Sequence, residues 1–210
     1  MTLYDDYDYL RFCRARKFDL PAIQLMFTNY INWRKEQDVD EILDTFDFTE
    51  MDAVREVYPH GYHGVDKHGR PVYIERLGVL NVTRLFEIST PERMVRHYMQ
   101  SYEVLMKLRF PACSAVAGKR IEQGLTILDM TGGGVSTVNK QDLVLVKLAS
   151  KVGSDYYPEI MGNTFIVNAP MLFSGVWSVV KSFIDEKTRN KIKIIGGSFK
   201  TTLLEYMPDE

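Results

Sequence analysis

The stretch from Asp155 to Lys191 decides how this chain is interpreted: DYYPEIMG (155–162), NTFIVNAP (163–170), MLFSGVWSVV (171–180) and KSFIDEKTRNK (181–191). Residues 171–180 contain no charged side chain, and Lys181 is the first charge after them. A helix of that length is too short to cross a bilayer, which takes about 20 predominantly apolar residues. Two acidic residues and then four basic residues follow between 185 and 193. An apolar helix that ends in mixed charge is either a buried core helix or a surface that meets lipid.

The composition is that of one folded domain. With 210 residues, 45% hydrophobic and 26% charged, the chain is long enough to bury a core and too apolar for a disordered segment. The net charge of −2 provides no basic field, so the sequence predicts no nucleic-acid partner. The 12 Tyr and 11 Phe residues fit either a packed core or an aromatic-lined ligand cavity.

The cellular compartment is predicted from cysteines and the N-terminus. Cys13 and Cys113 show no pairing pattern, which is typical of a reducing compartment. The first residues are acidic and lack the apolar core of a signal peptide. The sequence therefore predicts a cytoplasmic protein.

Helical patterns and one hairpin fill the first half. We expect helices from Tyr9 to Lys17, from a cap at Asp19, from Thr49 or Asp52 up to Pro59, and from Thr90 to just before Pro111. The second helix carries an apolar stripe at Ile23, Met26, Phe27, Tyr30 and Ile31. Residues 61–77 are predicted to form a β-hairpin with its turn at 66–69.

The second half alternates between strands and helices. Strands are expected at 71–76, 125–130, 164–168 and 191–195, with helices from Asn139 to Tyr156, along the apolar run and from Lys200 to Tyr206. This order is typical of βαβ units, so the fold prediction is α/β with a mainly parallel sheet and right-handed crossovers. Residues 1–45 are predicted to form a helical N-terminal segment and residues 46–210 an α/β lobe.

Motifs of catalysis or metal binding are weak. The run Thr131 to Thr137 contains three consecutive glycines but neither the P-loop ending nor the spaced dinucleotide fingerprint, so a flexible turn is favoured. His60, His63 and His68 lack the cysteine or acidic partners of a metal site, and no Gly-x-Ser-x-Gly nucleophile motif occurs. The sequence predicts a non-enzymatic protein without catalytic residues, metal or cofactor.

A charged cluster borders the apolar run. Glu159 follows Pro158 at a helix break, and Thr188 and Lys191 lie just before the last predicted strand. These residues form either a surface salt bridge or a polar headgroup site beside an apolar cavity. A phosphate held away from bulk water requires cations, since leaving it unpaired is costly.

Motifs along almost the whole chain resemble one family. They are LRFCRARKFD (10–19), WRK (33–35), DKHGRPVY (66–73), RFPACS (109–114), YYPEIMG (156–162) and IVNAP (166–170). In this order they resemble the CRAL-TRIO lipid-binding family, specifically its secretory-pathway phosphatidylinositol/phosphatidylcholine transfer type. The resemblance implies the CRAL-TRIO fold, in which a mainly parallel sheet is the floor and helices are the walls of a large apolar cavity. It also implies a gate helix over the pocket, a shortened N-terminal region and a missing C-terminal end.

The resemblance also implies two lipid sites. Phosphatidylinositol headgroup binding is assigned to Arg16, Glu159, Thr188 and Lys191, with the cations near the phosphate and Glu159 near the inositol hydroxyls. A second lipid, phosphatidylcholine or another, is assigned to Tyr62, Tyr73, Tyr102, Thr126 and Tyr157. The family's serine position on the central strand is Gly124 here, which removes one phosphate donor.

The gate helix implied by the resemblance spans about residues 173–184. Its apolar face comprises Phe173, Val176, Trp177, Val180 and Phe183. Lys181, Lys187 and Arg189 nearby are suited to anionic lipid. The alternative is that this face packs inward on the sheet.

The implied function is binding and intermembrane transfer of phosphatidylinositol in exchange for another lipid, in support of phosphoinositide signalling and vesicle trafficking. We expect a monomer that contacts membranes transiently, lies in the cytoplasm near Golgi or endosomal membranes, and serves a phosphoinositide kinase. Two alternatives stay open. One is a lipid sensor or adaptor that presents lipid to a kinase, and the other is a carrier of a small hydrophobic ligand such as a tocopherol or retinoid.

Overall fold

A computed structural model of the protein describes residues 4–132, 140–171, 173–184 and 186–208, with only the backbone for residues 140–146, Val176 and Phe183. The helices are α1 (Asp6–Ala15), α2 (Leu20–Glu36), α3 (Ile42–Thr45), α4 (Met51–Val57), α5 (Val82–Ile88), α6 (Pro91–Val104), α7 (Phe110–Ala117), α8 (Lys140–Tyr156), α9 (Phe173–Val180), α10 (Glu186–Arg189) and α11 (Lys200–Leu204). The strands are β1 (His60–Val65), β2 (Pro71–Glu75), β3 (Gly124–Asp129), β4 (Met161–Val167) and β5 (Ile192–Ile194). None of the described helices is long and apolar enough to cross a bilayer.

The second helix begins at the side chain that the sequence indicates. Asp19 accepts a hydrogen bond from the Ala22 backbone N–H at 3.0 Å, and Pro21 lies in the first turn of α2. The predicted stripe packs inward, with Met26 and Tyr30 buried in the main hydrophobic cluster. The second helix prediction is confirmed at its cap, and α1 begins three residues and ends two residues earlier than the predicted span of Tyr9 to Lys17.

The helix expected to stop before Pro111 does not stop there, so that prediction is wrong. A π-helical segment, Leu105–Arg109, follows α6, and α7 continues through Pro111 to Ala117. Proline lacks an N–H and its ring collides with the carbonyl four residues earlier in a regular α-helix. The wider π turn directly before Pro111 changes that spacing, so the chain remains helical.

Two other local predictions need correction. Helix α4 begins at Met51 without a side-chain cap, so neither Thr49 nor Asp52 caps it. Helices α3 and α5, of 4 and 7 residues, were not predicted, because segments this short present too few turns for a periodic pattern. The cap predicted at Asn139 lies outside the described residues.

The sheet confirms the predicted α/β architecture. Its order is β1-β2-β3-β4-β5, with β1 antiparallel to β2 and every later pair parallel. Each parallel strand is added beside the previous one. Since crossovers between parallel strands are right-handed, stepping in one direction places the connecting helices on the same side of the sheet.

The two faces of the sheet carry different side chains. The back face presents Val72, Leu125, Ile127, Phe165 and Val167, which pack against residues of the C-terminal segment from 195 to 207. The front face carries the alternate residues, a set of Tyr62, Tyr73, Glu75, Thr126 and Thr164. Tyr62 and Tyr102 belong to the cluster formed with α1, α2 and α6, so the front face lies beneath the helical layer.

Candidate functional site

Glu159 occupies a strained turn between α8 and β4. Its φ is 64°, in the left-handed region that side chains other than glycine and asparagine rarely adopt. The buried residues Tyr157, Pro158 and Ile160 hold the turn on both sides. Gln123 donates a hydrogen bond to the Glu159 carbonyl at 3.2 Å. This surrounding packing imposes the conformation and fixes where the carboxylate points.

Two lysines surround the Glu159 carboxylate. Lys187 Nζ lies 2.5 Å from Oε1, and Lys191 Nζ lies 3.7 Å from Oε2. Lys191 also donates to the backbone carbonyl of Met161 at 2.8 Å. Two cations face one carboxylate, so the cluster has an excess positive charge that favours an anion. Thr188, half-buried, follows Lys187 on α10.

Sequence reasoning missed the contact of Lys187 with Glu159. This residue was predicted only to touch anionic membrane, yet its ammonium is the nearer of the two described lysines to Glu159. Its position one residue before Thr188, a predicted site residue, was the sequence signal that could have indicated this contact. Lys187 is more than half exposed, so its ion pair with Glu159 is open to competition from a ligand.

Arg16 lies in a neighbouring cleft. It caps the C-terminus of α1 and lines a cleft of about 480 Å³ together with Trp33, Lys151, Asp155 and Tyr156. The structure therefore gathers Glu159, Thr188 and Lys191 around one turn, and places Arg16 in a cleft that reaches Tyr156, three residues earlier.

The predicted second-lipid residues fall into two groups. Tyr62 and Tyr73 are register partners across β1 and β2, with ring centroids 4.9 Å apart, and Tyr73 is the register partner of Thr126. The Arg109 guanidinium lies over the Tyr62 ring, 4.2 Å from its centroid. These three predicted residues form one row on the front face.

Tyr102 and Tyr157 form the second group, at the helical layer. Their ring centroids are 4.7 Å apart, and burial raises the pKa of Tyr102 to about 12. The Tyr157 hydroxyl donates to Glu103 Oε1 at 2.8 Å. Glu103 is buried and also accepts from Arg34 at 2.8 Å, so the Tyr157 hydroxyl belongs to a buried ion-pair network.

Glu75 was not singled out from the sequence. Burial raises its pKa to about 7, although hydrogen bonds from Tyr58 and Tyr73 favour the ionised form. The residue as a whole is half-buried. Carboxyls whose pKa is strongly raised by desolvation are enriched at ligand sites.

A pair of histidines lies close to the Glu75 cluster. His60 Nε2 and His97 Nε2 are 3.3 Å apart, and burial together with His60 lowers the pKa of His97 to about 4. Among the described residues, no group of three or more His, Cys, Asp and Glu side chains could hold a metal ion.

The gate segment is helical, as predicted. Phe173 is buried, Trp177 and Val180 are half-buried, and Val179 is exposed. The side chains of Val176 and Phe183 lie outside the described residues, as do those of residues 140–146 in the neighbouring α8. Because these belong to the expected walls, the large apolar cavity stays a prediction.

Comparison with known proteins fits this fold and this arrangement of residues. The family described as CRAL/TRIO domain matches residues 55–210, well over half of the chain. The chain belongs to the CRAL/TRIO family. The match includes the Glu159 turn, the front-face strands and the gate segment, so the resemblance found in the sequence motifs is confirmed.

Curated relatives of the same family cover nearly the whole chain. "Phosphatidylinositol/phosphatidylcholine transfer protein SFH12" of Arabidopsis thaliana is 44% identical over 207 residues, which are 98% of this chain and 38% of that protein. "Sec14 cytosolic factor" of Schizosaccharomyces pombe is 44% identical over 204 residues, 97% of this chain and 71% of that protein. This CRAL/TRIO chain therefore spans well under half of the plant relative.

Solved structures support the fold. The crystal structure of Sfh5 superimposes with a TM-score of 0.75 at 22% sequence identity, covering 94% of this chain and 67% of that one. The likeness confirms the CRAL/TRIO architecture of a mainly parallel sheet with helices.

Proposed function

We propose that this chain binds phosphatidylinositol and a second phospholipid and exchanges them between membranes without covalent chemistry. The observation that carries the proposal is the Glu159 turn, where Lys187 and Lys191 face one carboxylate. The relatives named as phosphatidylinositol/phosphatidylcholine transfer proteins support the same assignment. Residues 1–45 serve as the helical N-terminal segment and 46–210 as the lipid-binding lobe.

The Glu159 turn suits an inositol phosphate chemically. The lysine ammonium groups neutralise the phosphate, the Glu159 carboxylate accepts hydrogen bonds from inositol hydroxyls, and Thr188 adds a hydroxyl donor. A phosphate that enters replaces the carboxylate as partner of exposed Lys187, since an exposed ion pair is weak. Arg16 contributes from the adjoining cleft.

Lipid transfer requires an apolar cavity for the acyl chains rather than a reactive group. A diacyl lipid carries on the order of 30 methylenes, and at about 0.8 kcal/mol each its exposure to water costs roughly 25 kcal/mol. A protein that covers the acyl chains at the membrane surface removes most of this barrier. In this proposal α9 opens at the membrane, one lipid enters as another leaves, and the helix closes.

The cellular location proposed for this protein follows from the chemistry of lipid exchange. A lipid exchanger works between water and membrane, so we place it in the cytoplasm, as a monomer in transient contact with Golgi or endosomal membranes. The word "cytosolic" in the names of the Schizosaccharomyces pombe and Kluyveromyces lactis relatives supports this placement. Phosphatidylinositol delivered there would supply a phosphoinositide kinase and so support signalling and vesicle trafficking.

Transfer between donor and acceptor vesicles tests the proposal. Lys191→Ala and Glu159→Lys are expected to abolish phosphatidylinositol transfer, because each removes or reverses a charge at the turn. Lys193→Ala is the matched control, since Lys193 lies two residues further on and bonds to the Tyr206 hydroxyl at 3.0 Å. Unchanged transfer in both site variants rules the assignment out. Retention of phosphatidylinositol without transfer by the parent protein indicates the sensor role instead.

A further inference from the structure

Helix α7 has an outer face made only of apolar side chains. Its inner face packs into the main hydrophobic cluster through Phe110, Cys113 and Ala117. The exposed residues of the helix, together with exposed Leu108 just before it, have the i, i+3, i+4, i+7, i+8 spacing of one helix face: Leu108, Pro111, Ala112, Ala115 and Val116. Leu108 is 59% exposed and Val116 is 90% exposed. The outer face of a surface helix is normally polar, so this apolar stripe is suited to a binding partner.

Cations lie at both ends of this stripe. Lys107 and Arg109 precede α7, Lys119 and Arg120 follow it, and residues 104–121 contain no Asp or Glu. In the described part of the chain no carboxylate lies within ion-pair distance of Lys119, which is exposed. The chain as a whole carries a net charge of −2, so this excess of cations is local. An apolar stripe with cations at its ends is complementary to an anionic lipid surface.

The end of α7 is fixed at the sheet edge that carries the Glu159 turn. The Ser114 hydroxyl donates to the Phe110 carbonyl at 2.6 Å and accepts from the Ile121 N–H at 2.8 Å, which joins the helix to the segment that enters β3. Two residues further on, Gln123 donates to the Glu159 carbonyl at 3.2 Å. Strands β3 and β4 are parallel, so both begin at this edge. A surface that contacts the end of α7 therefore lies near the turn proposed to bind the headgroup.

The chemistry of the stripe favours a lipid surface over a protein. Protein interfaces depend on aromatic and Arg side chains buried at their centre and on hydrogen bonds across the contact. The exposed stripe on α7 consists of aliphatic side chains and proline and contains no hydrogen-bonding side chain. A bilayer requires only apolar side chains that enter the headgroup region and cations beside them.

We propose that the outer face of α7, flanked by Lys107, Arg109, Lys119 and Arg120, docks on a membrane surface that contains anionic phospholipid. This contact is separate from the gate face on α9. It goes beyond the proposed lipid exchange, because binding to the membrane surface requires no transfer of lipid. During exchange it holds the sheet edge with the Glu159 turn at the membrane.

Co-sedimentation with vesicles of equal parts phosphatidylcholine and phosphatidylserine tests the surface. Val116→Glu places a carboxylate on the stripe, and its partition onto these vesicles should fall about fivefold or more, the effect of one unit charge near an anionic surface. Leu20→Glu is the matched control, since Leu20 is 76% exposed on α2. The same charge change away from the docking surface is screened by salt and should alter binding less than about twofold.

Lys119→Gln tests the charge of the surface without changing the stripe. Its binding to the anionic vesicles should be about fivefold weaker than that of the parent, because one cation near the membrane is lost. On vesicles of phosphatidylcholine alone the two proteins should bind equally. Added salt should weaken the binding of the parent to anionic vesicles more than that of the variant.

Several results would overturn the docking surface. They are a parent that does not bind anionic vesicles, a Val116→Glu variant that binds them at the parental level, and an equal loss in Leu20→Glu. A parent that is dimeric in sedimentation and becomes monomeric in Val116→Glu would assign the stripe to a second copy of the chain and refute membrane docking. If Val116→Glu does not fold, Leu108→Glu and Lys119→Gln decide.

The docking surface and the proposed function can fail separately. A parent that binds anionic vesicles through α7 but transfers no phosphatidylinositol refutes the lipid exchange and leaves the docking surface in place. A parent that transfers this lipid, with α7 variants that bind vesicles as the parent does, overturns the docking surface alone.

Discussion

Trp33 and Tyr156 stack face to face, with ring centroids 3.9 Å apart and an interplanar angle of 3°. Trp33 lies on α2, and Tyr156 is the last residue of α8, three positions before Glu159. Trp33 also meets the Tyr157 ring edge-on at 5.9 Å. The predicted N-terminal segment 1–45 therefore packs directly on the residues that lead into the Glu159 turn.

Trp33→Ala is expected to lower the free energy of unfolding by about 3–5 kcal/mol, because it removes a large buried ring from the main hydrophobic cluster. Urea unfolding measures the change. Leu25→Ala on the same helix is the control, since Leu25 is 65% exposed and its loss should cost less than about 0.5 kcal/mol. Equal costs in the two variants contradict a shared core.

Tyr157→Phe is expected to cost about 1.5–3 kcal/mol of stability, because it removes a buried hydrogen bond to the ionised Glu103. Tyr156→Phe removes the hydroxyl of its half-buried neighbour and should change the unfolding free energy little. Urea unfolding measures both changes in free energy, from the shift of the midpoint when the dependence of the free energy on urea concentration is unchanged. A similar small effect for both would show that Arg34 and Lys107 satisfy Glu103 without the tyrosine.

Glu159→Gly distinguishes the role of the Glu159 carboxylate from the effect of the strained backbone at this position. Glycine adopts a φ of 64° without strain, so the variant should be as stable as the parent or more stable, by up to about 1 kcal/mol. Phosphatidylinositol transfer should nevertheless be lost, as it should in Glu159→Gln, where the strain is kept. If Glu159→Gly transfers this lipid at the parental rate, the turn positions nothing that the headgroup needs.

Glu75 makes stability depend on pH. Its folded pKa of about 7 lies above the ordinary value of 4.5, so the folded state binds more protons between these values. Stability is therefore fully present below pH 4.5 and falls as the pH rises to 7, by at most about 3 kcal/mol.

Glu75→Gln should remove this dependence. We expect the variant to gain up to about 3 kcal/mol over the parent between pH 4.5 and 7.5, measured by urea unfolding at each pH. His97, with its pKa of about 4, acts in the opposite direction but is present in both proteins. Glu56→Gln, at an exposed position on α4, serves as the control. Parallel pH profiles for parent and Glu75→Gln contradict the prediction.

The gate prediction concerns Trp177 and Phe183. Trp177→Ala combined with Phe183→Ala should slow transfer between vesicles yet leave lipid in the purified protein, because the apolar face enters the membrane interface rather than holding the ligand. Native mass spectrometry reads the retained lipid. A double variant that transfers at the parental rate excludes this helix as the membrane-contacting element.

Fluorescence gives an independent readout of the gate. The chain has two tryptophans, and Trp33 is buried in the core, so a Trp33→Phe background isolates Trp177. Its emission should shift to shorter wavelength when anionic vesicles are added, since an amphipathic ring moves from water to the interface. No shift at vesicle concentrations that support transfer contradicts insertion.

The sequence by itself determined the fold class and most elements. The cap at Asp19, the stripe on α2, the hairpin turn at 66–69 and the alternating strands and helices were all readable, because each depends on residues close together in the chain. The continuation of helix through Pro111 was not readable, since the proline signal is local and the π turn that accommodates it leaves no pattern of its own.

Only the tertiary structure decided how distant residues meet. The ion pair of Lys187 with Glu159, the network of Arg34, Glu103 and Tyr157, and the register of Tyr73 with Thr126 join residues from different elements. Single-sequence patterns report periodicity within one element but not the register between strands or the packing between helices. Contacts of that kind depend on how the whole sheet and its helical layer assemble. The lipid binding proposed for this protein depends on these contacts between distant residues.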